Sequence, residues 1–125
     1  MPVTSGRREN TVGASPRSQH RELLIGLVRL HVLHHASEEP VFGLGMMQEL
    51  GRHGYRLGAG TMYPLLHGME RRGWLRSEDT LVGGHKRKVY VATAAGRRAL
   101  AKAREQVREL YEEMCGEEGG KSDQE

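Results

Sequence analysis

The apolar positions of the chain fall into blocks whose period changes along its length. In "SQHRELLIGLVRLHVLHHA", residues 18–36, Leu23, Leu27 and Leu30 follow a helical repeat, and Leu24, Val28 and Leu33 widen the stripe. That width predicts a helix touching neighbours on more than one side. Pro40 disfavours helical geometry at Glu39 and ends the block. A short helix is expected from about Gly43 to His53, with Leu44, Met47 and Leu50 as its apolar face and Gly54 as its stop. A third helix, from about Ala59 to Arg72, carries Met62, Leu65, Leu66 and Met69 on one side and Thr61, Tyr63 and His67 on the other. Pro64 is read as belonging to the first turn, where a missing N–H removes little.

After Gly73 the period becomes alternating. "WLRSEDTLV" and "RKVYVAT" predict two strands with Leu75, Val89 and Val91 facing inward and "GGHK", residues 83–86, as the turn. Thr93 is positioned to cap a last helix. On that helix Leu100, Ala103, Val107, Leu110 and Met114 are spaced 3, 4, 3, 4, the seam of a helix packed along another helix.

These blocks set the expected organisation: an arm without periodicity over 1–17, a helical and stranded domain over 18–92, the last helix over 93–115 and an acidic tail over 116–125. A length of 125 residues suits one core. No apolar run approaches the roughly 18 residues of a membrane span, and the first residues lack the apolar stretch of a secretory signal. One cysteine excludes an internal disulfide and fits a reducing cytoplasm, where a nucleoid-associated location is expected. Residues 51–98 hold ten Lys/Arg against three acids, whereas 99–125 hold four against eight. A basic middle of this kind points to a polyanion partner.

Three helices, a ribbon and a helix, in that order, make a mainly α (α+β) winged helix-turn-helix with a C-terminal dimerisation helix. In this layout one helix enters a major groove about 12 Å wide, its N-terminal residues meeting the base edges. The DNA-contact candidates on it are Ala59, Gly60, Thr61, Tyr63 and His67. On the wing tip His85, Lys86, Arg87 and Lys88 suit phosphate or minor-groove contacts. The dimer seam is assigned to Leu23, Leu27, Leu30, Leu100, Ala103, Val107, Leu110 and Met114. The expected macromolecular partner of this layout is double-stranded DNA. No membrane and no cofactor are expected.

Other signals are weaker. His31 and His35, at i and i+4, share a helix face and could hold a metal, but they are read as interface histidines. Cys115 lies beside acids that disfavour a thiolate. "GEEGGKS" has one residue too few for a phosphate loop. No set of residues argues for catalysis. The alternatives are a metal- or redox-responsive regulator of the same fold and a protein-interaction module without DNA.

"GYRLGAGTMYPLLHGMERRGWL" followed by "GGHKRKVYVATAAGRRAL" resembles the PadR family of bacterial transcriptional regulators. The "GTxYPLLxxxExxG" pattern spans the third helix, "GGxxRKxYxxTxxG" the wing, and "PVFGLGMMQEL" the second helix. The likeness covers about residues 20 to 112. It implies homodimeric winged-helix repressors that pair through the first and last helices, bind short inverted repeats, and commonly take phenolic acids or flat hydrophobic drugs between subunits. A single C-terminal helix is like the smaller subfamily. Ala59 and Met62 depart from the proline or serine, and the leucine, of many relatives.

Overall fold

The computed structural model describes residues 15–116. The elements run α1 (Pro16–Glu38), α2 (Gly43–Arg52), α3 (Ala59–Arg71), β1 (Leu75–Val82), β2 (His85–Ala92) and α4 (Ala94–Tyr111), after which the chain makes a π-type turn over Glu112–Gly116. This is the winged helix-turn-helix order. α1 begins two residues inside the stretch read as an arm, with Pro16 at its first position, where proline is preorganised for a helix. The rest of the expected arm, 1–14, and most of the expected tail, 117–125, lie outside the described residues. Among the described residues no helix is long and apolar enough to cross a membrane.

α2 and α3 end in the same way. Gly54 and Gly73 take positive φ angles of 91° and 83°. Tyr55 N–H then reaches back to Leu50 O at 2.9 Å and Gly54 N–H to Gly51 O at 3.1 Å. At α3, Trp74 N–H donates to Met69 O at 3.0 Å and Gly73 N–H to Glu70 O at 2.9 Å. These are Schellman caps, which use glycine because the left-handed residue must lack a Cβ. One cap launches the turn into α3 and the other launches the wing.

The core gathers Val28, Val32, Leu33 and Ala36 from α1, Met46 and Leu50 from α2, and Met62, Leu65, Leu66 and Met69 from α3. Met62, Leu66 and Met69 are fully buried. Each contributes about 1.5–3 kcal/mol relative to exposure, enough to fix which side of α3 faces out. The expected face of α2 is corrected. Leu44 is 51 % exposed and Met46 only 2 %, so the buried row is Gly43, Met46 and Leu50, with Met47 partly covered. The cause is Tyr63, whose ring lies 2.5 Å from where a Cβ on Gly43 would stand, so this glycine must face α3.

Pro64 is also corrected. It is the sixth residue of α3, one turn in, so its missing N–H leaves the Gly60 carbonyl without its i+4 donor. Gly60 and Pro64 are both on the exposed side, where water can take that carbonyl. The helix start at Ala59 stands as expected.

The wing pairs antiparallel from Leu75↔Ala92 to Val82↔His85. Its turn is the two residues Gly83 and Gly84, with φ of 58° and 81°, and not the four expected. Positive φ at both positions is what a type I′ hairpin requires. His85 and Lys86 therefore sit within the ladder. Val89 is buried, Val91 half-buried and Tyr90 fully buried, so β2 packs on both faces at its base. At the outer edge of β2, Val41, between α1 and α2, exchanges backbone bonds with Tyr90 (3.0 and 2.9 Å) and extends the sheet by one bridge.

Two side chains lock the wing to the helices. Glu70 Oε2 accepts from Ser77 Oγ at 2.7 Å and Ser77 N–H at 3.3 Å, joining α3 to β1. Thr93 caps α4 by accepting from Gly96 N–H at 3.0 Å and donates its hydroxyl to Gly73 O. Thr93 N–H reaches Trp74 O at 3.0 Å, and a Cβ on Gly96 would stand 2.1 Å from that same oxygen.

Gly96→Ala forces this backbone apart and is expected to cost about 1–3 kcal/mol, lowering the melting temperature by about 5–20 °C. Gly45→Ala, on the open side of α2 with nothing within 4 Å, is expected to stabilise slightly. Thermal unfolding of the two variants compares them directly. Glu70→Ala removes the acceptor shared by two donors and is expected to cost about 1–3 kcal/mol in urea unfolding, with Glu70→Gln losing less because its amide oxygen still accepts.

Candidate nucleic-acid interface

α3 starts without a side-chain cap: Gly58 is its N-cap residue and has no side chain to offer. Thr61 N–H already donates to Gly58 O at 3.1 Å, which leaves the N–H groups of Ala59 and Gly60 to meet an anion, and the helix dipole favours one there. Ala59, Gly60, Pro64 and His67 are exposed on the face opposite the core, and Thr61 is half-buried. Tyr63 is 38 % exposed. Its ring rests on Gly43, so one edge is anchored on α2 while the rest stays on the surface. Burial pushes the Tyr90 phenol above its ordinary pKa, and Glu70 and Tyr63 add to the shift. α2, α3 and the wing base thus meet around Tyr63.

The expected wing residues, His85, Lys86, Arg87 and Lys88, are all exposed. Among the described residues no carboxylate pairs with Lys86 or Arg87, whereas Arg76 lower on the ribbon is engaged by Glu78 at 2.8 Å. Lys88 stands across from Asp79, and Lys86 across from Leu81. Leu81 and Val82 form an apolar edge at the wing tip that the charge pattern alone does not reveal. Arg72 is not free: its guanidinium lies 5.7 Å from the Trp74 ring centroid and donates to Gly68 O at 3.2 Å. Arg71 is exposed beside it.

The proposed dimer seam divides. Leu100 is buried in the protomer's own core, and Leu30 and Ala103 are half-buried. Leu23 (78 % exposed), Leu27, Val107, Leu110 and Met114 (67 %) face outward. Arg97 donates to Ser37 O at 2.9 Å and ties the start of α4 to the end of α1. Beyond Leu100, α4 is exposed on almost every side. Between α1 and α4 a groove of about 510 Å³ is lined by Leu23, Leu27, Leu30, Ala99 and Ala103, with Trp74 in its wall. Trp74 packs against the core at the wing base and also borders this groove.

His31 and His35 do not converge as a ligand pair. Their rings stack at 6.5 Å, and His31 lies closer to His53 (4.9 Å) and Tyr55 (5.3 Å). Burial, then the neighbouring histidines, lower the His31 pKa. Glu49 is held below its usual range, first by the hydrogen bond from His53. Cys115 is exposed, with no disulfide.

A profile of the transcriptional regulator PadR-like family matches residues 32–102. The chain is 50 % identical over 96 residues to "Transcriptional regulator Rv3488" of Mycobacterium tuberculosis, covering 77 % of this chain and 90 % of that one. Among solved structures, a PadR family transcriptional regulator from Eggerthella lenta aligns with a TM-score of 0.67 and 30 % identity over 86 % of this chain and 92 % of that one. A Streptococcus transcriptional regulator aligns with a TM-score of 0.69 and 26 % identity over 77 % and 96 %. With the profile match over 32–102 and this degree of identity, on a chain that carries a basic wing locked to α3, the chain belongs to the PadR-like family of transcriptional regulators.

Proposed function

We propose that the chain works as a homodimeric repressor of transcription. Each protomer lays α3 in a major groove, with Ala59, Gly60, Thr61, Tyr63 and His67 toward the bases. His85, Lys86, Arg87 and Lys88 rest on the flanking backbone. The observation that carries this reading is the pairing of α3's uncapped N-terminus with wing-tip cations, Lys86 and Arg87, that no carboxylate pairs among the described residues, helix and wing being tied through Glu70 and Ser77. A short contact helix and a wing held at a fixed angle are what one half-site needs.

Dimerisation follows from the apolar stripe of α1 and α4. Val107, Leu110 and Met114 project on a helix that its own domain does not cover, a solvation cost that a second copy removes. Two-fold pairing then places the two α3 helices on half-sites about one helical turn apart, so the operator is an approximate inverted repeat. The groove beside Trp74 supports an effector that is small and hydrophobic or aromatic, released DNA being the outcome of its binding. The site of action is the cytoplasmic DNA.

Neutralising the wing as Lys86→Ala/Arg87→Ala is expected to weaken binding to all sequences alike and to shallow the log–log salt slope by about 2 per protomer. Tyr63→Phe and Thr61→Val should instead redistribute affinity among operator variants by about 10-fold, leaving the slope unchanged. Gel shifts on the DNA upstream of the chain's own coding sequence, run at several salt concentrations, separate the two effects; an unchanged slope in the wing variant removes the phosphate assignment. Val107→Glu/Leu110→Glu touches exposed positions only, so the fold should persist while sedimentation shows a monomer at micromolar concentration. A variant that still sediments as a dimer rules out this seam.

A further inference from the structure

At the end of α1, outside the surface assigned to DNA, two imidazoles and a carboxylate converge. One ligand atom from each of His34, His35 and Glu38 lies within 4.8 Å of the other two. His34 and Glu38 are one helical turn apart, with Nε2 and Oε2 at 3.7 Å. The His34 and His35 rings meet edge to face, with centroids 5.0 Å apart at 67°, so their lone pairs are not forced parallel as in a stack. From α2, Glu49 Oε2 lies 3.7 Å from His35 Nε2 and is itself held by His53 Nε2 at 3.1 Å. We propose that His34, His35 and Glu38 form a binding site for a borderline divalent transition-metal ion such as Zn²⁺, with Glu49 as the positioning residue behind His35.

Nitrogen and oxygen donors in this mixture suit zinc and its neighbours, while hard ions such as Mg²⁺ prefer all-oxygen sets. Zn–N and Zn–O bonds of about 2.0–2.2 Å place tetrahedral donors roughly 3.3 Å apart. The set therefore closes by small rotations of side chains. His34 and Glu38 are free to make them, being 47 % and 65 % exposed. A carboxylate behind a ligating imidazole orients the ring, which is the role the geometry gives Glu49. Because Glu49 belongs to α2, its contact with His35 links the site to the corner between α1 and α2. Metal occupancy is read independently of DNA, so this assignment and the repressor reading fail separately.

The test uses the untagged full chain, freed of metal by chelation and titrated with Zn²⁺ against a chromogenic chelator. One ion per chain is expected. His34→Ala/Glu38→Gln should weaken the affinity at least 100-fold, and Glu49→Gln about 10-fold. His20→Gln and Cys115→Ser, both away from the cluster, should bind as the parent does. A 1,000-fold excess of Mg²⁺ should not displace the ion. Zinc should raise the melting temperature of the parent and leave that of His34→Ala/Glu38→Gln unmoved, while circular dichroism shows the variant folded. A parent that binds no zinc, or a double variant that binds it as tightly as the parent, overturns the site.

Discussion

Three elements meet at the two residues Gly73 and Trp74, and the relation between helix and wing depends on that meeting. Gly73 closes α3, the carbonyl of Trp74 takes the N–H of Thr93, and the carbonyl of Gly73 takes the Thr93 hydroxyl. Gly96 comes so close to Trp74 O that no side chain fits between them. The end of α3, the start of β1 and the start of α4 are therefore one piece of backbone hydrogen bonding. Glu70, one turn back on α3, adds a side-chain hook to Ser77. A surface that reads a groove has to hold its helix and its wing at one angle, because a small misplacement loses both sets of contacts.

The same economy explains the two-sided character of α3. Its core face is fixed by Met62, Leu65, Leu66 and Met69, so the opposite face is out by default. Tyr63 shares both worlds. Its ring occupies the space left by Gly43, which leaves a large aromatic standing at the surface with little freedom to move. The bare N-terminus of α3 follows from Gly58, which provides no capping oxygen and so leaves backbone donors for an anion.

Much of this was legible beforehand. The helical and alternating periods located every helix and both strands to within a few residues, because each element buries one face and the repeat of apolar residues records it. Family motifs identified the wing and its helix. Some of their letters gained meaning only with the fold: Thr93 is legible as a helix cap, but that it joins Glu70 and Gly96 in holding the junction is not. The α2 face was misread because Leu44, Met47 and Leu50 fit a helical repeat as well as Gly43, Met46 and Leu50 do, and only the position of Tyr63 decides between them.

By itself, then, the sequence determined the kind and order of the elements, the sidedness of α3 and the basic character of the wing. Each of these is a property of residues near one another along the chain. The tertiary structure decided what depends on how elements cross. Leu100 turns into the protomer's own core while Val107, on the same seam, stays out, because α4 leaves the domain between them. His35 joins His34 and Glu38 and faces Glu49 of α2, where helical spacing had suggested His31. Spacing along one helix fixes which side chains share a face, but a neighbouring helix fixes which of them meet.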